Sequence, residues 1–331
     1  MKNFYTLILL LLLAACSEKE KLHRIEGPTM GTTYHIVYAG EKQAQLAVGI
    51  DSVLQSVNAS LSTYIPTSTI SLFNQSESGG QVDEPLWINF SRSLEIWAHT
   101  NGAFDPTVGP LVNAWGFGFE KMREQVDSAL IDSRLMLVGL DKLKLEGDRL
   151  WKPTAAMQLD FSAIAKGYGV DCVAQYLESQ GVANYIVEIG GELRAAGKKA
   201  PGFSWIAGIE KPIEDPSGTQ RSLQMSLPLD DRSMATSGNY RNFYEKDGQK
   251  FSHTIHPATG YPARSNLLSA TVVAANCMTA DAYATAFMVM GFEDARALIE
   301  NSDLEAVLLY SDENGELQQY ISSGLETLIK Q

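Results

Sequence analysis

Residues 159–171, with the sequence LDFSAIAKGYGVD, combine polar groups, small residues and a helix start within a dozen positions. Asp160 or Ser162 can cap the helix that follows, and Lys166 projects from its first turn. The small side chain of Ala163 leaves main-chain atoms open to a partner. This combination is typical of a segment that binds a ligand through its backbone and a few polar side chains.

Two glycines, Gly167 and Gly169, follow Lys166 inside the predicted helix. Each costs about 1 kcal/mol relative to alanine at a helix-interior position. Such glycines occur where a ligand or a second backbone packs closely against the helix. The alternative is that they only let the helix lie flat on a sheet.

A second pair of polar residues lies on the helix predicted for Thr279 to Met290. Asp281 and Thr285 are four positions apart, so their side chains are stacked on one helix face. A carboxylate and a hydroxyl suit a hard cation such as magnesium, which prefers oxygen ligands and usually keeps waters and substrate phosphate oxygens. The alternative is that Asp281 only caps the helix or interacts with its dipole.

Two loops carry further candidate residues. Asp105 precedes a proline in the loop GAFDPTVGP of residues 102–110, so its backbone is held extended. We expect this conformation to point its carboxylate and the neighbouring main chain into the mouth of the loop, although Asp-Pro is also a common turn. Met30, in the loop of residues 27–33, suits either covering a flat ligand or packing within the loop.

The elements that must position these residues alternate between helices and strands, with no internal repeat. Helices are predicted over residues 43–57, 86–98, 125–138, 279–290 and from the cap at 160–162 to 179. Strands are predicted over 34–38, 143–145, 182–189, 205–209, 222–228 and 269–273, and residues 71–84 are predicted to form a surface loop. We therefore expect an α+β fold with a mixed sheet, arranged as two intimately packed α/β lobes.

The composition is that of a globular protein, with 45% hydrophobic and 20% charged residues among 331. The net charge is -13, and no cluster of lysine and arginine is long enough to follow a nucleic-acid backbone. Nucleic acid is therefore not an expected partner. A small phosphorylated ligand is compatible with this charge, because one metal ion can offset it locally.

The amino terminus resembles a bacterial lipoprotein signal, with Lys2, a short apolar run and the sequence Leu-Ala-Ala before Cys16. The run is shorter than the ~20 residues of a spanning helix, which argues against an uncleaved anchor. The expected parts are a signal peptide (1–15), a lipidated tether (16–24) and one domain (25–331). We expect Cys16 to carry the lipid and the domain to lie at the cell envelope, facing the periplasm or the outside. Cys172 and Cys277 are then expected as two separate buried cysteines rather than a disulfide.

Eight short motifs occur in order after this signal: TMGTTY, Ser62-Thr63-Tyr64, GAFDPTVGPLVNAWGFG, LDFSAIAKGYGVD, EIGGELRAAG, MATSGNYR, SHTIHPATG and TADAYATAFMVMG. Together they closely resemble the ApbE family of FAD:protein FMN transferases, over residues 25–310. Each motif alone is modest, whereas eight in the same order are very specific.

The resemblance implies a magnesium-dependent enzyme that cleaves the pyrophosphate of FAD, attaches FMN through a phosphoester bond to a threonine of an acceptor protein, and releases AMP. The flavin contacts of the family fall on Met30, Tyr64, Ala103, Phe104, Asp105, Asp160, Lys166 and Ile255. Its metal ligands fall on the main-chain oxygen of Ala163 and the side chains of Asp281 and Thr285, and Asp281 is also expected to be essential for catalysis. The acceptors of such enzymes carry a D-G-x-(S/T)-(S/T)-A-T motif, whose last threonine is modified.

One motif departs from the family pattern. His253 is retained, and we expect it to act as base for the acceptor threonine or to position it. Many relatives have an acidic residue where this chain has His256, before Pro257. If that acidic residue only caps the turn, His256 is an acceptable replacement, and if it serves catalysis, the activity is in doubt.

Two other functions remain open on the sequence. The first is a metal-dependent FAD pyrophosphatase, in which water replaces the threonine hydroxyl. The second is a non-catalytic flavin-binding lipoprotein, and the intact Asp281 and Thr285 argue against it.

Overall fold

The computed structural model describes residues 21–118, 126–212, 222–239, 243–246, 249–252 and 254–329. Cys16 and His253 lie outside these residues, so the lipidation site and the expected base stay predictions. Within the described ranges, no helix is long and apolar enough to cross a membrane.

The described residues form fifteen strands. In chain order they are β1 (Leu22–Thr29), β2 (Thr32–Ala39), β3 (Gly79–Gln81), β4 (Lys144–Glu146), β5 (Arg149–Trp151), β6 (Tyr185–Ile189), β7 (Glu192–Ala196), β8 (Trp205–Glu210), β9 (Leu223–Leu229), β10 (Ser233–Gly238), β11 (Phe243–Lys246), β12 (Gln249–Ser252), β13 (Leu267–Ala274), β14 (Glu305–Ser311) and β15 (Leu317–Ile321). Eight of them form one sheet in the order β1-β2-β6-β7-β10-β13-β14-β15.

All neighbouring strands described in this large sheet are antiparallel. The predicted α+β class is confirmed, but the pairing in this sheet is antiparallel throughout rather than a mixture of parallel and antiparallel. The physical reason is that several neighbours are joined by tight turns, as between β1 and β2 or β6 and β7, and such turns impose antiparallel pairing.

The helices are α1 (Leu46–Leu61), α2 (Thr69–Gln75), α3 (Glu84–His99), α4 (Gly109–Ala114), α5 (Ser128–Leu135), α6 (Ala165–Ser179), α7 (Cys277–Met290), α8 (Phe292–Glu300) and α9 (Ser323–Glu326). The predicted helices at 43–57, 86–98, 125–138 and 279–290 are thus confirmed with shifted ends. The prediction of a surface loop over residues 71–84 is wrong, because residues 71–75 belong to α2 and residues 79–81 form β3. Ser68 caps α2 by accepting a hydrogen bond from the Ser71 amide, and Ile70 and Phe73 bury its apolar side.

The two faces of the large sheet are covered differently. On one face, α1 and α6 pack against alternate residues of β2 and β6, such as Ile36 and Val187. On the other face, the β8–β9 hairpin and α9 cover the intervening residues, such as Val37 and Ile186. This alternation follows from the period of two in a strand. Cys172 and Cys277 are both free, as predicted, with Cys277 buried and Cys172 half-buried.

A buried lysine fixes the segment that leads into α6. Lys152 Nζ donates hydrogen bonds to the carbonyl oxygens of Asn74 (2.9 Å), Ala155 (3.0 Å) and Met157 (3.0 Å). Burial lowers the pKa of Lys152 to about 8. The Asn74 side chain also accepts from the Leu159 amide at 2.7 Å and donates to the Leu159 carbonyl at 2.9 Å. The chain is therefore held on both sides immediately before Asp160.

Candidate active site

The site is built where the start of α6 meets the start of α7. A β-carbon on Gly167 would lie 2.4 Å from the carbonyl oxygen of Cys277, so only glycine fits this approach without a shift. Of the explanations that the sequence left open for Gly167, the second backbone is the right one. Asp171 strengthens the contact, because its carboxylate accepts from the amides of Cys277 (3.0 Å) and Met278 (2.9 Å). The first turn of α7 is thereby fixed against α6.

Asp281 reaches from α7 to the first turn of α6. Its Oδ2 accepts a hydrogen bond from the Gly167 amide at 3.0 Å, and its Oδ1 lies 3.5 Å from Lys166 Nζ. The cap of α7 is Asn276, which accepts from the Thr279 amide at 2.9 Å. Asp281 therefore does not cap its own helix α7, and it instead accepts from an amide in the first turn of α6.

A third charged group completes this cluster. Glu192, the first residue of β7, places Oε1 2.7 Å from Lys166 Nζ. Burial raises the pKa of Glu192 to about 7, since the nearby Asp281 charge adds to it and Lys166 only partly offsets it. Burial opposes the charge of Lys166, yet Asp281 and Glu192 together raise the pKa of its ammonium above the ordinary value. The cluster thus keeps a fixed positive charge between two carboxylates.

Oxygen atoms suited to a hard cation lie on α7, which carries Asp281, and on the segment before α6, whose first turn Asp281 contacts. Thr285 Oγ1, one turn further along α7, lies 3.1 Å from Ser237 Oγ on β10. In a regular helix the Gly167 amide would donate to the Ala163 carbonyl, but here it donates to Asp281 instead. The Ala163 carbonyl therefore receives no hydrogen bond from any described residue.

These donors fit magnesium by their chemistry. A carbonyl, a carboxylate and a hydroxyl are all oxygen donors, and magnesium commonly binds few protein groups and completes its shell with water and phosphate. No group of three or more histidine, cysteine, aspartate or glutamate side chains able to hold a metal occurs within the described ranges. A cation at this site would therefore depend on the main-chain and hydroxyl oxygens as well as on Asp281.

Asp105 behaves differently from the prediction. Its backbone is extended as expected, with φ -142° and ψ 106°. Its carboxylate, however, is buried and turned into the protein, where it accepts from the Thr107 amide (2.8 Å) and the Leu140 amide (3.1 Å). Burial raises the pKa of Asp105. The expectation that this carboxylate points into the loop's mouth is wrong, and the predicted flavin contact of Asp105 stays a prediction.

Asp160 links this loop to the start of α6. The Asp160 amide donates to the Pro106 carbonyl at 2.8 Å, so the loop and the LDFSAIAKGYGVD segment are adjacent. The prediction that Asp160 or Ser162 caps α6 is wrong. The N-cap residue is Ile164, and no side chain caps the helix. The Asp160 carboxylate instead accepts from the Ser162 amide at 2.8 Å, in the turn before the helix.

The other predicted flavin contacts differ in their burial and in their neighbours. Met30 has a positive φ of 49° in the β1–β2 turn, and its Sδ packs against Gly169, where a β-carbon would be 3.2 Å away. Phe104 and Ile255 are buried, Ile255 in a cluster with Trp115, and Ala103 is half-buried. Tyr64 is 69% exposed, and the structure does not bring it into the cluster. Their roles as flavin contacts stay predictions.

His256 lies directly before Pro257, at the position where the motif was expected to depart from the family pattern. Its Nδ1 accepts a hydrogen bond from the Ala258 amide at 3.2 Å, which requires a neutral ring with the proton on the other nitrogen. Burial lowers the pKa of His256, which favours that neutral form. The side chain thus caps a turn, as an aspartate would.

The sequence reasoning missed Glu192 and Ser237. Both lie in motifs quoted above, EIGGELRAAG and MATSGNYR, but neither was given a role. An available signal for Glu192 was a charged residue at the first position of an apolar strand, directly after two glycines. For Ser237 the residue pattern carried no distinguishing signal, since hydroxyl residues are common in strands.

Comparison with known proteins shows which class of protein this chain resembles. The fold is shared with the flavin transferase ApbE from Vibrio cholerae (TM-score 0.85, 38% identity, 93% of this chain and 99% of that chain). It is also shared with the apo form of the Pseudomonas stutzeri flavinyl transferase ApbE (TM-score 0.84, 33% identity, 94% and 98%). A curated FAD:protein FMN transferase of Vibrio cholerae is 40% identical over 97% of this chain and 96% of its own length. Residues 30–308 match the ApbE family, and the chain belongs to that family.

Proposed function

We propose that this protein is an FAD:protein FMN transferase that depends on magnesium. It transfers FMN from FAD to a threonine of an acceptor protein carrying the D-G-x-(S/T)-(S/T)-A-T motif, and AMP is the second product. The observation that carries the proposal is the cluster of Lys166, Asp281 and Thr285 at the junction of α6 and α7. It lies within a chain that resembles curated FAD:protein FMN transferases over nearly its whole length.

In the proposed reaction, the threonine hydroxyl of the acceptor attacks the FMN phosphorus, His253 takes the hydroxyl proton, and the bond to the AMP oxygen breaks. Lys166 supplies a positive charge to the FAD phosphates, since its ammonium stays protonated between two carboxylates. The Ala163 carbonyl, the Asp281 carboxylate and the Thr285 hydroxyl would hold magnesium. When bound, this ion would offset negative charge on the pyrophosphate and on the departing AMP.

The test uses the chain from residue 17 with FAD, magnesium and an acceptor carrying the motif, and it measures acceptor mass and nucleotide products together. We expect the acceptor to gain the FMN mass while AMP appears. Asp281→Ala should abolish both products. Asp294→Ala is the matched control, because Asp294 is an exposed acid in the first turn of α8, and it should retain full activity.

Two other results would overturn the proposal. FMN and AMP released with an unchanged acceptor would favour the pyrophosphatase, and FAD bound but never cleaved would favour a binding protein. His253→Ala should lose transfer while keeping its fold, and full transfer by this variant would remove the proposed base.

We further propose that Cys16 is lipidated and holds the domain at the bacterial cell envelope, facing the periplasm or the outside. The support is the signal-like sequence that precedes it. Labelling of the full chain with a palmitate analogue in a bacterial host should be lost in Cys16→Ser. A Cys16→Ser chain that stays labelled would contradict the proposal.

A further inference from the structure

The carboxylate of Glu192 is buried beside the candidate cation site, and none of the roles above uses it. The residue is 4% exposed. Its Oε1 pairs with Lys166 Nζ, whereas Oε2 has no hydrogen-bond partner outside its own residue in the described part of the chain. Burying a carboxylate is costly unless its charge is compensated. A carboxylate kept here at that cost is expected to do something for the site.

Lys166 lies between two carboxylates at unequal distances. Its Nζ is 2.7 Å from Glu192 Oε1 and 3.5 Å from Asp281 Oδ1. The turn before β7 sets this arrangement, because Gly190 and Gly191 have positive φ angles of 61° and 106°. The lysine stem passes so close to the turn that a β-carbon on Gly190 would be 3.4 Å from Lys166 Cδ. The ammonium is therefore directed towards Glu192.

We propose that Glu192 is a positioning residue that holds the Lys166 ammonium away from Asp281, so that the Asp281 carboxylate stays open to a divalent cation. The inference rests on the metal site of the proposed function. An ammonium and a cation compete for the same carboxylate oxygens, since both are attracted to them electrostatically. Without the Glu192 charge, Asp281 is the remaining carboxylate near Lys166 among the described residues, and their ion pair, now 3.5 Å long, shortens into direct hydrogen-bond contact.

The experiment measures binding of Mn²⁺ alone, without FAD, to the chain from residue 17 at pH 8, by the electron paramagnetic resonance signal of the free ion. Glu192→Gln should raise the dissociation constant about tenfold, as is typical when a partner of a metal-site residue is lost. Glu146→Gln is the control: it removes the same charge from an exposed position on β4, outside the large sheet. This control should change the dissociation constant by less than about twofold.

A double-variant cycle separates positioning from a simple effect of charge. In a Lys166→Met background there is no ammonium to hold, so adding Glu192→Gln should change Mn²⁺ binding by less than about twofold. The same tenfold loss in both backgrounds would mean that Glu192 acts on the cation directly, and it would overturn the inference while leaving the metal site intact. Absence of Mn²⁺ binding by the wild-type chain would overturn the metal site itself and this inference with it. Unfolding curves of each variant verify that the fold is retained.

Discussion

The contact between α6 and α7 makes a sharp prediction for Gly167→Ala. The three atoms nearest to the added β-carbon would be backbone atoms of Cys277 and Met278, at 2.4 to 2.8 Å. Because none of them belongs to a side chain, the clash cannot be relieved by a rotamer change. To restore ordinary contact, the two helix starts must separate by roughly 1 Å. Overpacking of this kind costs up to about 3 kcal/mol, of which alanine regains about 1 kcal/mol through helix propensity. A net loss of about 2 kcal/mol is expected.

Gly169→Ala is the matched control for stability, because it adds the same methyl group to the same helix. Its nearest neighbour is the flexible Met30 thioether at 3.2 Å, which can yield, so the propensity gain should cancel most of the cost. Urea unfolding of both variants measures the difference. Gly167→Ala should also weaken Mn²⁺ binding, because the separation of the two helix starts lengthens the hydrogen bond that the Gly167 amide donates to the Asp281 carboxylate. Equal stability of the two variants would refute the steric reasoning.

Three further predictions concern buried titratable groups. Lys152→Met should lower the free energy of unfolding by about 3 kcal/mol, because three carbonyl oxygens lose their donor. The control is Lys144→Met, at an exposed strand position, which should leave the free energy of unfolding unchanged in the same urea titration. Burial raises the pKa of Cys172 to about 11 and that of Cys277 well above its ordinary value, so neither thiol should react with Ellman's reagent at pH 8 before denaturant is added. The pKa of Glu192 is about 7 in the folded chain against 4.5 in the unfolded chain. Its stabilising contribution is therefore lost as the pH rises from 4.5 to about 7. Glu192→Gln should flatten the decline in unfolding free energy across this pH range.

Local patterns in the sequence were sufficient for much of the fold and part of the site. The spacing of Asp281 and Thr285 placed both on one helix face, and the glycine at 167 indicated a close approach before any contact was known. Both inferences depend only on helix geometry and on side-chain size, and these follow directly from a short stretch of sequence. The helix at 69–75 was missed because its seven residues carry only two buried apolar positions, too few for a periodic signal.

Long-range contacts account for what the sequence did not reveal. Glu192 joins the cluster only because β7 lies beside the start of α6, and no local pattern encodes that neighbourhood. The Asp105 carboxylate was expected at the loop's mouth, yet the Leu140 amide, 35 positions later, binds it inside the protein. Strand direction was also beyond reach, since it depends on which strands become neighbours.

The order of strands in the large sheet also governs how the chain can acquire its structure. The β1–β2 hairpin is synthesised first, yet the outer edge of β2 pairs with β6, about 150 positions later, and such distant pairing slows folding. A nascent chain that ends before Tyr185 therefore presents an unpaired edge of β2. Fragments that stop there are expected to associate edge to edge, so the cell must keep the growing chain apart from its copies until β6 has been made.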